Sequence, residues 1–175
     1  MKEVKGTRLV GGTIKFIYMW KKVLRSIEEY YSEKIADLNR QIEEKRDSAA
    51  KSPGSMQSWS DKSKQEFSQL ANALLKNLEP LKISLKSVKE ILSTKNKSNA
   101  ISIGSIIKTK SDEEDQERLV IVPGVGGDQI IVDDIEYFLL SAKSELANQL
   151  LEKKPGQKLT LKSGTEITII EVINS

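Results

Sequence analysis

Two long series of apolar residues constrain the fold of this chain more than any other feature of its sequence. Within each series the residues recur at steps of three and four, which places them on one face of a helix with a coiled-coil-like seam. Charged and polar residues fill the positions between them, as on a solvated helix face. The first series consists of Ile17, Trp20, Leu24, Ile27, Tyr31, Ile35, Leu38 and Ile42, and the second of Phe67, Leu70, Leu74, Leu78, Leu81, Leu85, Val88 and Leu92.

The two series are related to each other as the arms of an antiparallel hairpin are. Paired residues in such a hairpin have numbers with a constant sum, and the pairs Leu24 with Leu85 and Ile35 with Leu74 both give 109. The midpoint falls on residues 52–55, where Pro and Gly stand side by side and give a strong turn signal. We therefore predict two long helices that pack side by side, with the tip of the hairpin at this point.

A polar stretch without periodicity, residues 94–100, separates the helical part from the rest of the chain. After it the pattern is typical of strands, and Lys158–Leu161 with Glu166–Ile173 predicts a closing β-hairpin. Residues 144–151 predict one short helix. The sequence therefore predicts an α+β protein in which a helical hairpin is followed by a small domain of about five strands and one helix.

These changes of pattern divide the chain into four predicted parts. Glycines interrupt the first residues, the helical periodicity covers the next part, and the strand-like pattern covers the last. The parts are a flexible N-terminal arm at residues 1–13, an antiparallel coiled-coil hairpin at 14–93 with its tip near 47–61, a linker at 94–100 and the β-rich domain at 101–175.

The composition excludes several kinds of chemistry. The 175 residues include no Cys and no His, which removes disulfides, thiolate catalysis, Cys-ligated zinc and the commonest general base. The 28 basic and 25 acidic residues nearly balance, for a net charge of +3, so charge alone does not indicate nucleic-acid binding. No apolar stretch reaches the roughly 20 residues that span a bilayer. We expect a cytoplasmic monomer that is not an enzyme by itself.

Three stretches in the second half resemble the bacterial Gre transcription elongation factors. They are Ile103–Ile106 (Ile-Gly-Ser-Ile), Leu119–Gly124 (Leu-Val-Ile-Val-Pro-Gly) and Leu140–Gln157, which contains Leu-Leu-Glu-Lys-Lys followed by Pro-Gly. In Gre factors a strand opens into a short helix that ends in Leu-Leu-Gly-Lys-Lys and a turn, and two strands finish the chain. The resemblance covers residues 101–173 at the level of motifs and the hairpin at the level of architecture.

The resemblance implies a partner and a mode of action. Gre factors seat an FKBP-like C-terminal domain on the rim of the RNA polymerase secondary channel, and their hairpin reaches down the channel to the active centre. The resemblance therefore implies an FKBP-like second domain here and an indirect contact with nascent RNA. Glu145 departs from the family's pattern, which has Pro at that position. The residues that the resemblance assigns to the polymerase contact are Ser141, Ser144, Glu145, Leu146 and Ala147.

Gre factors also carry acidic residues at the hairpin tip, which help to hold a second Mg²⁺ so that the polymerase cleaves its own backtracked RNA. The family's tip sequence is not visible here, but Asp47 and Asp61 face each other across the turn. The resemblance makes them the candidate catalytic and Mg²⁺-holding pair, acting only within the polymerase. The alternative interpretation of Asp61 is a helix N-cap. Met56 and Trp59 are candidate contacts to a channel wall, or side chains that fold back to close the tip.

Three functions stay open at this point. The first is a Gre-like factor that stimulates cleavage of backtracked RNA. The second is a Gre-like regulator or inhibitor of the polymerase that does not promote cleavage. The third is an FKBP-like chaperone or interaction scaffold whose hairpin binds another partner.

A glycine-rich segment, Pro123–Gly127, follows one of the predicted strands. It lacks the Lys-Ser/Thr that a phosphate-binding loop requires in register. We therefore predict a plain loop here and no nucleotide site.

Overall fold

Two long helices form the first half of the molecule and a β-sheet forms most of the second. The structure is a computed structural model that describes the backbone of residues 10–51, 57–94, 98–111 and 116–174, and within the helices the side chains of residues 15–48 and 65–94. Helix α1 spans Val10–Lys51 and helix α2 spans Gln57–Ser93. Most of the predicted N-terminal arm lies outside the described residues.

The second half of the chain contains six strands and one short helix. The elements are β1 (Ile106–Ser111), β2 (Gln116–Val122), β3 (Gln129–Val132), β4 (Ile135–Ser141), α3 (Glu145–Leu150), β5 (Lys158–Thr160) and β6 (Glu166–Ile173). The strands form one sheet in the order β3-β4-β2-β1-β6-β5. Neighbouring strands are antiparallel except for β2 and β4, which are parallel. The predicted α+β class, with a helical hairpin followed by a β-rich domain, is confirmed, although the expectation of about five strands was one too few.

Each face of the sheet packs against a different helical element. Because successive side chains of a strand point to opposite faces, the central strand β2 supplies both faces and is buried from Leu119 to Val122. One face packs against the hairpin through Trp20, Val23, Leu24, Ile27, Tyr31, Leu81, Val88, Ile106, Val120, Val122, Ile130, Val132, Tyr137, Leu139 and Ile173. The other face packs against α3 through Ile107, Leu119, Ile121, Ala147, Leu150, Ile167 and Ile169.

The seam of α2 departs from the prediction at one position. Leu70 is 49% exposed, whereas the neighbouring Ala71 is only 5% exposed. At 100° per residue, Leu70 lies about 80° from Leu78 around the helix and Ala71 only about 20° away. Leu70 is therefore wrong as a seam residue, and Ala71 occupies the seam in its place. Val88 lies at the same angle around the helix as Leu70, but it is fully buried because the sheet also covers α2 at that level.

A pair of leucine truncations in α2 tests this assignment. Leu78 is 2% exposed and Leu70 is 49% exposed, so the same deletion leaves a cavity at the first and little at the second. We expect Leu78→Ala to lower the free energy of unfolding by about 2–5 kcal/mol and Leu70→Ala by less than about 1 kcal/mol. Urea unfolding followed by circular dichroism measures both. Equal losses would contradict the described seam.

Candidate functional site

The base of the hairpin is joined to the sheet by an apolar core and by two hydrogen bonds from side chains of α1. Val23 and Ile27 are fully buried between α1 and the sheet. The indole N–H of Trp20 donates to the carbonyl oxygen of Gly104 at 2.8 Å. Tyr31 donates its hydroxyl proton to the carbonyl of Val125, and burial raises the pKa of Tyr31 well above its ordinary value, so the phenol stays protonated. The described base of the hairpin is therefore held as one body with the sheet.

The segment Pro123–Gly127, which we call the glycine loop, lies against α2. Its Val125 N–H donates to the hydroxyl oxygen of Ser84 at 2.9 Å. Ser84 in turn donates to the carbonyl of Pro80 at 2.8 Å, and it is one of the few fully buried polar residues described. The sequence pattern did not single out Ser84, because a lone Ser in a helix carries no signal of a distant backbone partner.

Ion pairs at the edge of the sheet add to this junction. The ammonium of Lys34 lies 2.9 Å from a carboxylate oxygen of Asp128 and 4.8 Å from the ring centre of Tyr30. Burial opposes ionisation of Asp128, but hydrogen bonds from Lys34 and Tyr30 outweigh it and lower the pKa of that carboxyl group. Lys22 makes a second pair with Asp133, in the turn between β3 and β4, at 2.5 Å. Both pairs connect α1 to the β3 edge.

The distal part of the hairpin projects beyond this junction. The last polar contact described between α1 and the sheet is at Lys34, and α1 continues to Lys51, a further length of about 25 Å at 1.5 Å per residue. Two helices packed at about 8–10 Å form a narrow rod. Ile42 and Ala71 are buried in that rod, at 2% and 5% exposure. We call this projecting part, residues 35–51 and 57–79, the arm.

The predicted tip residues lie mostly outside the description. The side chain of Asp47 is exposed near the distal end of α1, while those of Met56, Trp59 and Asp61 fall outside the described side chains. Among the residues that are described, no group of three or more acidic side chains is placed to hold a metal ion. Mg²⁺ requires several oxygen ligands in octahedral geometry. The described part of the chain therefore does not fit a metal of its own, and Asp47 with Asp61 as a metal-holding pair stays a prediction.

The predicted polymerase-contact segment forms the end of β4 and the short helix α3. Ser144 is the N-cap of α3, and its hydroxyl accepts from the Ala147 N–H at 3.2 Å. Glu145 is exposed and pairs with Lys162 at 2.7 Å. Ala147 is fully buried, so its side chain packs in the core below α3 and offers no surface to a partner. The other predicted contact residues remain accessible in whole or in part.

Next to that segment lies an apolar surface that the sequence analysis missed. Ile131 on β3 is 67% exposed, and it shares the α3 side of the sheet with the half-buried Phe138 and Leu140 of β4. Leu146 of α3 packs against the same cluster and is also half-buried. We call these four residues the β3–β4 face. β3 contains three consecutive apolar residues, 130–132, so one of them must lie on the opposite face from the other two. The sequence alone does not show which of the two faces is covered.

Comparisons with known proteins give structural matches alone. No protein-family model matches the chain, and no curated protein matches it. The crystal structure of GreA factor homolog 1 (Gfh1) of Thermus thermophilus is 17% identical, with a TM-score of 0.33 over 87% of this chain and 93% of that one. Thermus aquaticus Gfh1 is 15% identical, with a TM-score of 0.34 over 91% and 96% of the two chains. A further Gfh1 structure gives 17% identity and a TM-score of 0.33 over 87% and 92%.

Similarity at these TM-scores carries no weight for function, which has to come from the residues of this chain. Across the helical residues that the structure describes, no stretch is long and apolar enough to cross a membrane.

The ion pair between Lys34 and Asp128 generates a pH prediction. A carboxyl group whose pKa is lowered by folding stabilises the fold above its unfolded pKa, and this contribution is lost as the pH falls through the folded value. Both side chains are about one-third exposed or more, 40% and 34%, so we expect Asp128→Asn to cost only about 0.5–1 kcal/mol at pH 7.

The measurement is urea unfolding of both proteins across the acidic range, in which the difference should shrink toward zero. Asp134→Asn is the matched control, because it removes the same charge from an exposed turn residue for which the structure describes no ion pair. A difference that persists at low pH, or a control that behaves like Asp128→Asn, would show that the pair does not stabilise the fold.

Proposed function

We propose that this chain binds RNA polymerase and inserts its arm into the secondary channel, where it modulates elongation. The observation that supports this most directly is the arm itself, a two-helix rod fixed at its base to a sheet and projecting about 25 Å beyond its last described polar contact. The Gre-like motifs in residues 101–173 support the choice of partner.

A probe that enters a channel must resist bending at its base. The hairpin base buries Trp20, Leu24 and Val88 to 2% exposure or less, and polar contacts at Tyr31 and Lys34 add to this packing. A close-packed core has low compressibility, so a force on the arm is transmitted to the sheet. The junction therefore suits an arm that is held out from its attachment point, since a flexible linker between two independent domains would leave the arm free to swing.

The β3–β4 face and the accessible residues of Ser141–Leu151 form the proposed docking surface. Ile131 exposes two-thirds of its area, 67%, and lies on the same side of the sheet as Leu146. Accessible apolar side chains with polar neighbours, here Gln129 and Glu136 on the same face, are typical of protein interfaces. The hairpin covers the opposite side of the sheet, so docking here leaves the arm unobstructed.

Any cleavage would use the polymerase's own active centre. The chain has no Cys and no His, and its described residues hold no acidic group of three. In the cleavage-stimulating form of the proposal, Asp47 and Asp61 add negative charge beside a cation that the polymerase holds. The non-cleaving regulator is the second candidate, and it is favoured by the sequence of the tip, in which the acidic pattern of the Gre factors is not visible.

Ile131→Glu tests the docking surface. A charge placed in an apolar contact loses its hydration on binding, so we expect polymerase affinity to fall by about tenfold or more, equivalent to about 1.4 kcal/mol. Biolayer interferometry with immobilised polymerase measures the affinity. Ile170→Glu is the matched control, since Ile170 is also exposed, at 44%, but lies on β6 toward the other edge of the sheet. Equal effects of the two variants, or none, would contradict the docking assignment.

Asp47→Asn combined with Asp61→Asn tests the tip. The double variant keeps side-chain size and removes charge, so in the cleavage-stimulating form we expect stimulation of cleavage in backtracked complexes to fall by about tenfold or more while binding persists. Glu44→Gln, a change at another exposed acid of the same helix, should leave stimulation intact.

Two other outcomes of the binding, cleavage and elongation assays distinguish the remaining functions. If the wild-type chain slows elongation without accelerating cleavage, the non-cleaving regulator is the correct form. If it neither binds polymerase nor alters elongation, the proposed function is wrong and the chaperone or scaffold alternative takes its place.

A further inference from the structure

The glycine loop contacts both the hairpin and Ser141, the first residue of Ser141–Leu151. We call Ser141–Leu151, the part of the proposed docking surface that begins at the end of β4, the docking segment. We propose that Gly124 and Ser84 are positioning residues, whose close contact sets the direction of the arm relative to that segment. The proposal rests on the proposed function for its biological meaning, but the direction of the arm is measurable without any polymerase.

Gly124 lies so close to α2 that a side chain at this position would be in steric conflict with Ser84. A Cβ atom at Gly124 would lie 1.9 Å from the hydroxyl oxygen of Ser84, 3.0 Å from its Cβ and 3.3 Å from its backbone Cα. The hydroxyl can rotate away, but the Cβ and Cα belong to the helix itself. Any larger residue at position 124 therefore has to push α2 away from the loop, and Val125 then loses the Ser84 hydroxyl that accepts its N–H.

The other end of the glycine loop is fixed to the sheet with equal closeness. A Cβ atom at Gly126 would lie 2.3 Å from the backbone nitrogen of Ser141 and 2.7 Å from the carbonyl oxygen of Leu139. The N–H of Gly127 donates to that same carbonyl at 2.7 Å. Backbone atoms on both sides leave no room for adjustment. The loop therefore moves with β4 and with Ser141, the first residue of the proposed docking segment.

These two contacts together relate the arm to the docking segment. The loop is rigidly attached to β4 through Gly126 and touches α2 through Gly124, with only Val125 between them. A change at Gly124 is therefore not absorbed within the loop and has to tilt the hairpin. A displacement of about 0.5 Å across the 8–10 Å between packed helices tilts the arm by about 3°, which moves residue 48, about 20 Å beyond Lys34, by about 1 Å.

These contacts also explain why the glycine loop is rich in glycine. The sequence predicts a plain loop at Pro123–Gly127, which lacks the residues of a nucleotide site. Close approach of backbone to a neighbouring element is one of the few physical reasons for glycine. At Gly124 and Gly126 the approach is to α2 and to β4 respectively.

The experiment is a double-mutant cycle read out as a distance. The chain contains no Cys, so Ser48→Cys and Glu136→Cys, both at exposed positions, can carry spin labels on the arm and the sheet without other changes. Pulsed electron–electron double resonance then reports the distribution of distances between the two labels. The variants to compare in this labelled background are Gly124→Ala, Ser84→Gly, the combination of the two, and Ser84→Ala.

We expect Gly124→Ala to shift the mean distance by about 1 Å or to broaden the distribution, while circular dichroism shows a folded protein. In the Ser84→Gly background the nearest atom left is the Cα of residue 84 at 3.3 Å, so adding Gly124→Ala there should produce little further shift. Ser84→Ala removes the hydrogen bond without adding bulk. It should lower the melting temperature and leave the distance unchanged, which separates positioning from stability.

Two results would overturn the positioning role. One is a distance distribution that Gly124→Ala leaves unchanged, and the other is a shift of equal size in the wild-type and Ser84→Gly backgrounds. Polymerase assays on the unlabelled variants then separate this inference from the proposed function. If the wild-type chain does not bind polymerase, the function fails while the distance result still decides the role of Gly124.

Discussion

The packing of the hairpin base on one face of the sheet is the interaction on which the rest of this structure depends. Without it, the sheet would expose a face that includes Val120 and Tyr137, and α1 would expose Val23 and Ile27, all of which are buried to 1% or less. At about 25 cal/mol per Å² of apolar surface, neither half could leave such a face in water. The hairpin and the sheet are therefore mutually dependent, and the arm gains its fixed direction from this packing.

Polar contacts specify how the two halves meet rather than whether they meet. The Trp20 and Tyr31 side chains donate to main-chain carbonyls of the second half, and Ser84 accepts from the glycine loop. A typical hydrogen bond adds only about 1 kcal/mol to stability, but a buried donor left unpaired costs about 1–3 kcal/mol. Sliding the hairpin along the sheet would leave several such groups unpaired. One arrangement is favoured for that reason.

Local patterns predicted the elements well wherever burial follows a regular period. The hairpin was readable because a seam of apolar residues at steps of three and four is imposed by the helix itself. The bounds of β6, Glu166–Ile173, were predicted from a strand-like run of residues in the closing hairpin. The prediction was wrong at Leu70, where a purely sequential count of apolar residues ignored the angle around the helix. Ala147 was assigned to a surface by resemblance, although α3 turns it inward.

The sequence by itself determined the helical hairpin, the change to strands after residue 100, and the exclusion of thiolate, disulfide and imidazole chemistry that follows from the lack of Cys and His. Only the tertiary structure decided that the hairpin base and the sheet share a core, that Ile131 joins Phe138 on an open face, and that Gly124 meets Ser84. The physical reason is separation along the chain. Periodicity reports which side of an element is buried, but contacts between residues 84 and 124 depend on how the elements are placed in three dimensions.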